Sequence, residues 1–424
     1  MSDVTSLADA LSSSVIDDTV LHERHGPFME LARRLLGVQS NIYGYMEIWP
    51  TAFRSYNLMV PNFFNVPFPL LGLRPDAGLL GTAMYASSRA AQCMYCSAHS
   101  CTIAQRGGAD IETLQQALNP EAAASAGVRA VLQVAAGMST MPPSLTPVEV
   151  EDFYDHYGQQ AADWLGHAVA MMGFLNKMMD AMGVDLEAKL VDEIQAVAGA
   201  SDWTPGRHRV VQDERSFHAA TSPKRTLLSM LPFMPFAIRQ DGLWTRGVPT
   251  NGRKAVALLE ELTGYGFPMV GRIRQGRIVR TLTTMLRDNL SPTESRLGVA
   301  TKHMAGVVYA IGIGNDELRR GSESMARESG VRDLSRCHDI AAEYVVLEDA
   351  SFIDAFFRDD EPRFKAVMLL TKAMVPSPSN VTPLVIEAVQ DALEPAEIIE
   401  LVTWLSLLSL LHRLRVLQDA SSQV

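Results

Sequence analysis

At 424 residues the chain exceeds the usual length of one domain, and two or three domains are expected. Its 47% hydrophobic and 20% charged content is ordinary for a soluble globular protein. A net charge of −11 argues against nucleic acid or an anionic membrane as the main partner.

Taken in chain order, the N-terminal Met1-Ser-Asp-Val-Thr5 lacks a basic region followed by an apolar core, so no secretion signal is read there. Apolar residues then recur at three- and four-residue spacing in Glu30 to Leu36, Ala162 to Met182, Lys254 to Leu262 and Glu397 to Leu417, which predicts helices. Alternating β-branched runs are scarce, and 21 methionines suit helix–helix packing. The predicted class is all-α. The stretch Leu401 to Leu411 is apolar but carries Thr403, Ser406 and Ser409, and is read as too short for a bilayer span. A cytoplasmic protein with no nucleic-acid and no membrane partner is expected.

The chain also repeats itself. Residues 130–147 pair without gaps with 366–383, an offset of 236, and in both copies Thr-Pro marks a helix start with Thr146 or Thr382 as N-cap. The same offset sets Phe174-Leu-Asn-Lys177 over Leu410-Leu-His-Arg413. Upstream the offset is about 217, with Leu73-Arg-Pro75 over Leu290-Ser-Pro292, so an insertion of nearly twenty residues is expected within 316–350. The organisation read from this is a helical domain over 1–200, a polar 201–225 that is a linker or a loop covering a site, and a second helical domain over 226–424.

Three of the four cysteines and a histidine fall in Cys93-Met-Tyr-Cys96-Ser-Ala-His99-Ser-Cys101. Four cysteines in such a length make no disulfide scaffold, so the cluster points to chemistry. Laid on a helix at about 100° per residue, Cys93 and Cys96 are neighbours on one face and His99 continues its edge. Arg89 falls on the same face, where it could stabilise a thiolate, and Cys101 projects away as a small buried hydrophobe. Three readings stand: a redox dithiol with His99 as proton acceptor, a zinc site, and cysteines that merely pack. Structural zinc usually takes two separated ligand pairs, and four ligands in nine residues do not readily surround a metal. No metal and no cofactor is expected.

The run Ser88-Arg89-Ala-Ala-Gln-Cys93-Met-Tyr95-Cys96-Ser-Ala-His99 resembles the signature of the alkylhydroperoxidase D-like, or carboxymuconolactone decarboxylase, superfamily. The likeness extends loosely over about 30–185 and includes the helix ending Gly173-Phe-Leu-Asn-Lys177. It implies two tandem helical domains, the second degenerate. It further implies that Cys96 attacks a hydroperoxide or disulfide, that Cys93 resolves the product and that His99 relays protons, with Ser88, Arg89 and Tyr95 in support. A dithiol reductant protein would reset the site. The family assembles as trimers or hexamers, which implies a homo-oligomer, a dimer or trimer, for a duplicated chain. The superfamily's decarboxylase branch implies the alternative of a non-redox lyase or hydrolase. The chain departs from the pattern where peroxidatic members carry a relay glutamate, about twelve residues before the first cysteine. Gly81 stands there, so any relay carboxylate comes from elsewhere in the fold. At the 217 offset, Cys93, Cys96 and His99 fall on Ala310, Ile313 and Asp316, and the second copy has lost the thiols.

Overall fold

Local sequence signals set the helix ends. Thr146 caps Pro147–Met182 through a reciprocal capping box with Glu149, and the Thr382 side chain accepts from the Val385 N–H to start Pro383–Ala392. The computed structural model describes residues 4–117, 121, 123, 125–199, 203–212 and 222–423. Among these residues the chain is all-α. It has 22 α-helices, and its two strands are only two residues long each, Leu186–Glu187 and Val210–Val211.

Two long helices, Pro147–Met182 and Pro395–Ser421, form the centre of the molecule and pack on each other. A Cβ added at Gly173 would sit 2.8 Å from the Ser409 carbonyl oxygen, so the two backbones touch there and only glycine fits. By length and composition Pro395–Ser421 could cross a membrane, contrary to the reading of Leu401 to Leu411 as too short. Its most apolar stretch is 89% buried inside the protein, which accounts for that composition as core.

Helix bounds recur along the chain. Ala77–Ala90 and Met94–Arg106 return as Val299–Gly312 and Asp316–Glu328, each 222 residues on. Pro147 returns as Pro383, 236 residues on, and the kink at Gly158 (φ 68°) falls where the second copy breaks between Ala392 and Pro395. The offset therefore grows by fourteen residues between Glu328 and Pro362, where Ser335–Ala342 and Ala350–Phe356 lie. The sequence had suggested nearly twenty residues within 316–350. On helix bounds Asn315, Leu318 and Gly321 stand where the first copy has Cys93, Cys96 and His99, in place of Ala310, Ile313 and Asp316.

Candidate functional site

The helical path breaks just before the first cysteine. Gln92 takes a φ of +57°, which separates Ala77–Ala90 from Met94–Arg106. Cys93 is the N-cap of the second helix, and its Sγ accepts the backbone N–H of Cys96 at 3.4 Å. Here a sulfur does what a serine or aspartate oxygen usually does at an N-cap. Cys96 lies in the first turn. Burial, then the hydrogen bond to Cys93 and the charge of Cys93, push its thiol well up. All four cysteines are free and buried. Burial also pushes Cys101 up to about 12 and Cys337 up to about 11, so neither is a nucleophile at neutral pH.

The break at Gln92 overturns the single-helix face drawn from spacing. Arg89 belongs to the preceding helix, and its charge acts on Tyr85 and Cys101. Lys177 and Arg413, one from each central helix, interact with the charge of Cys93, and Arg413 with that of Cys96 as well. Burial lowers Lys177 to about 8 and Arg413 to about 10. Lys177 Nζ donates to the Pro376 carbonyl at 2.5 Å, and Arg413 Nη1 donates to Ser87 Oγ at 2.7 Å. Asp180 accepts the Ser379 N–H beside them. Ser88 donates to the Met84 carbonyl at 2.9 Å and lies 3.2 Å from Asn176 Oδ1, so it steadies the helix pair rather than the sulfurs.

One turn on from Cys96, His99 Nε2 meets Glu187 Oε2 at 3.1 Å. Glu187 is fully buried. Its Oε1 also accepts the Asn41 N–H at 3.1 Å and the Tyr95 hydroxyl at 3.3 Å, and Tyr95 reaches Ser40 at 2.9 Å. The Tyr95 and His99 rings lie 4.4 Å apart. Tyr95 is thus tied to the histidine–carboxylate pair as well as to the core. Glu187 precedes the helix Ala188–Ala198, and it is held by parallel pairing of Leu186–Glu187 with Val210–Val211. A glutamate at position 81 has no room: a Cβ on Gly81 would lie 2.4 Å from Ala104 Cα, where the two helices cross.

The described part of 201–225 is seated over this site. Trp203 is buried and donates its indole N–H to Ser97 Oγ at 2.9 Å. A Cβ at Gly206 would contact Met94 at 3.4 Å, Arg207 donates to the Val381 carbonyl at 2.9 Å, and His208 Nδ1 bonds the Val184 carbonyl at 2.7 Å. Residues 203–211 are a cover, not a free linker. Residues 201, 202 and 213–221 lie outside the described residues.

Sequence reasoning missed Glu187, Lys177, Asp180 and Arg413. For Lys177 and Arg413 a signal existed: a cation inside a long apolar helix, at the same place in both repeats. Glu187 offers none. Among the described residues no three His, Cys, Asp or Glu side chains converge in a way that could hold a metal ion.

The chain matches no family model and no curated protein. Among solved structures, apo debrominase Bmp8 aligns with 43% of this chain and 96% of its own, at a TM-score of 0.37 and 21% identity. A Bmp8 variant with a cysteine changed to alanine, bound to 2,3,4-tribromopyrrole, covers 46% of this chain and 98% of its own, at a TM-score of 0.38 and 20% identity.

Proposed function

We propose that this protein is a thiol-dependent oxidoreductase that reduces a small hydroperoxide or disulfide through Cys93 and Cys96. The observation that carries this reading is the Cys93 sulfur at a helix N-terminus, accepting the Cys96 N–H, with a second thiol one turn away. The family signature assigns the attack to Cys96. Burial pushes the Cys96 thiol well up and Cys93 stands at the helix N-terminus, so we assign the attack to Cys93 and the resolving step to Cys96.

With a hydroperoxide, Cys93 Sγ attacks one peroxide oxygen. An S–O bond forms, the O–O bond breaks, and the departing alkoxide takes a proton. Cys96 gives up its proton and attacks the sulfenic acid, so an S–S bond forms and water leaves. His99, hydrogen-bonded to Glu187 one turn further along the helix, is the acceptor for the Cys96 proton. A dithiol partner then restores both thiols by exchange, and its own sulfurs are oxidised.

The test is a thiol titration with intact-mass analysis after one equivalent of cumene hydroperoxide. Wild type should lose two thiols and about two daltons. Cys96→Ser should stop at a Cys93 sulfenic acid, and Cys93→Ser should not react. Unreactive thiols at neutral pH would overturn the reading, and a reactive Cys93→Ser would return the attack to Cys96. A parallel run with 2,3,4-tribromopyrrole, reading bromide release, separates peroxide reduction from reductive loss of halide.

A further inference from the structure

Between the two central helices and Ala91 lies a cavity of about 10 Å³, room for one water-sized species. Asn176, Lys177 and Asp180 of one central helix line it, with His412 and Arg413 of the other. Two of these side chains are almost fully buried and leave a nitrogen with no partner: Asn176 Nδ2 and His412 Nε2, on residues 4% and 5% exposed.

The neighbours of His412 fix its proton. Asn315 Oδ1 accepts the Leu318 N–H at 3.0 Å, which leaves Asn315 Nδ2 to face His412 Nδ1 at 3.1 Å. An amide nitrogen only donates, so His412 Nδ1 accepts and the ring proton sits on Nε2. Burial lowers this imidazole to about 4, so it is neutral at pH 7. Both unpartnered groups are therefore donors, and both face a cavity walled by two cations. The hydroxyls of Ser139 and Ser377 on the same wall are already engaged, with Ser87 Oγ at 2.8 Å and the Ala91 carbonyl at 2.8 Å.

We propose that this cavity is a binding site for a small monovalent anion the size of a halide or hydroxide, with Asn176 and Lys177 supplying one half and His412 and Arg413 the other. A buried donor without an acceptor is costly, and an anion satisfies both donors at once. Charge balance ties the site to the thiols. Lys177 and Arg413, which line the cavity, both interact with the charge of Cys93, and Lys177 also with Asp180. On the dithiol reading, a Cys93 thiolate offsets these cations in the reduced protein. In the disulfide that charge is gone, and the anion takes its place. This coupling rests on the dithiol reading; the site itself does not.

The probe is bromide, titrated into the full-length protein in a gluconate buffer and followed by thermal melting. Saturable stabilisation is expected, with a Kd roughly tenfold or more tighter for the oxidised protein and for Cys93→Ser than for reduced wild type. His412→Phe and Asn176→Leu should each abolish the saturable shift and leave the thiol count unchanged. Crystals soaked in bromide, read by anomalous scattering, provide a measurement that needs no variant. An empty cavity there, or His412→Phe and Asn176→Leu proteins that still respond like wild type, would overturn the proposal. Equal affinity in reduced protein and in Cys93→Ser would overturn the coupling. Bromide binding without any peroxide reaction would keep the site and sink the dithiol reading, and the converse result would do the opposite.

Discussion

Glu187 shows how much one buried carboxylate can organise. It accepts from a backbone N–H, a tyrosine hydroxyl and His99. Its negative charge is available to stabilise a proton on His99 when Cys96 is deprotonated. Glu187→Gln keeps a carbonyl oxygen for Asn41 and Tyr95 but removes that charge. Disulfide formation should slow about 100-fold, with the melting temperature little changed. Stopped-flow oxidation against pH checks this, and a wild-type rate and profile in Glu187→Gln would remove His99 from the relay. Cys93, Cys96 and His99 stand out in the sequence because they lie within seven residues, at the start of one helix. Glu187 does not, because 88 residues separate it from His99 and it sits on a strand of only two residues.

At the scale of elements, two features shape the site: the break at Gln92 and the cover over 203–211. The break turns a cysteine that spacing puts mid-helix into an N-cap, and it places Arg89 in the preceding helix. Periodicity continues through a one-residue break, so the sequence carried no trace of it. From sequence the cover stays open between a linker and a site-covering loop, for a different reason. Its Trp, Arg and His residues make it look solvent-facing, yet Trp203, Arg207 and His208 spend their donors or ring nitrogens on Ser97, Val381 and Val184. Trp203→Ala should cost about 3–5 kcal/mol in urea unfolding, as expected for a deleted buried aromatic. It should also speed alkylation of Cys96 by iodoacetamide severalfold. Trp203→Phe, which keeps the ring but loses the hydrogen bond, should fall between the two. Unchanged alkylation in Trp203→Ala would mean that the cover does not control access.

The whole molecule joins its two halves through buried polar groups, and this makes its stability depend on pH. The repeat was legible because Thr-Pro helix starts survive in both copies; the 217 offset was wrong because nothing but helix bounds aligns the rest. At the joint, His167 of the first half bonds Gln275 of the second at 2.9 Å, while His412 and Arg413 reach the cavity shared with Asn176 and Lys177. His303 lies beside the buried Lys302–Glu400 pair, 3.0 Å apart. Burial is the main cause that lowers His167 and His412 to about 4 and His303 to about 3, from an ordinary 6.5. The unfolded chain therefore takes up three protons near pH 6.5 that the folded chain refuses until about pH 4 or below. More protons on the unfolded state mean that stability is full above pH 6.5 and falls as pH drops through that window. Each imidazole contributes about 1.4 kcal/mol per pH unit, so the three together should make unfolding free energy fall by about 4 kcal/mol per unit below pH 6. Urea unfolding from pH 7.5 down to pH 4.5 measures this slope. His303→Gln should cut it by about a third, since it removes one of the three imidazoles. A flat profile between pH 6.5 and 5 would mean that these imidazoles are protonated in the folded protein, which would also undo the donor assignment of His412.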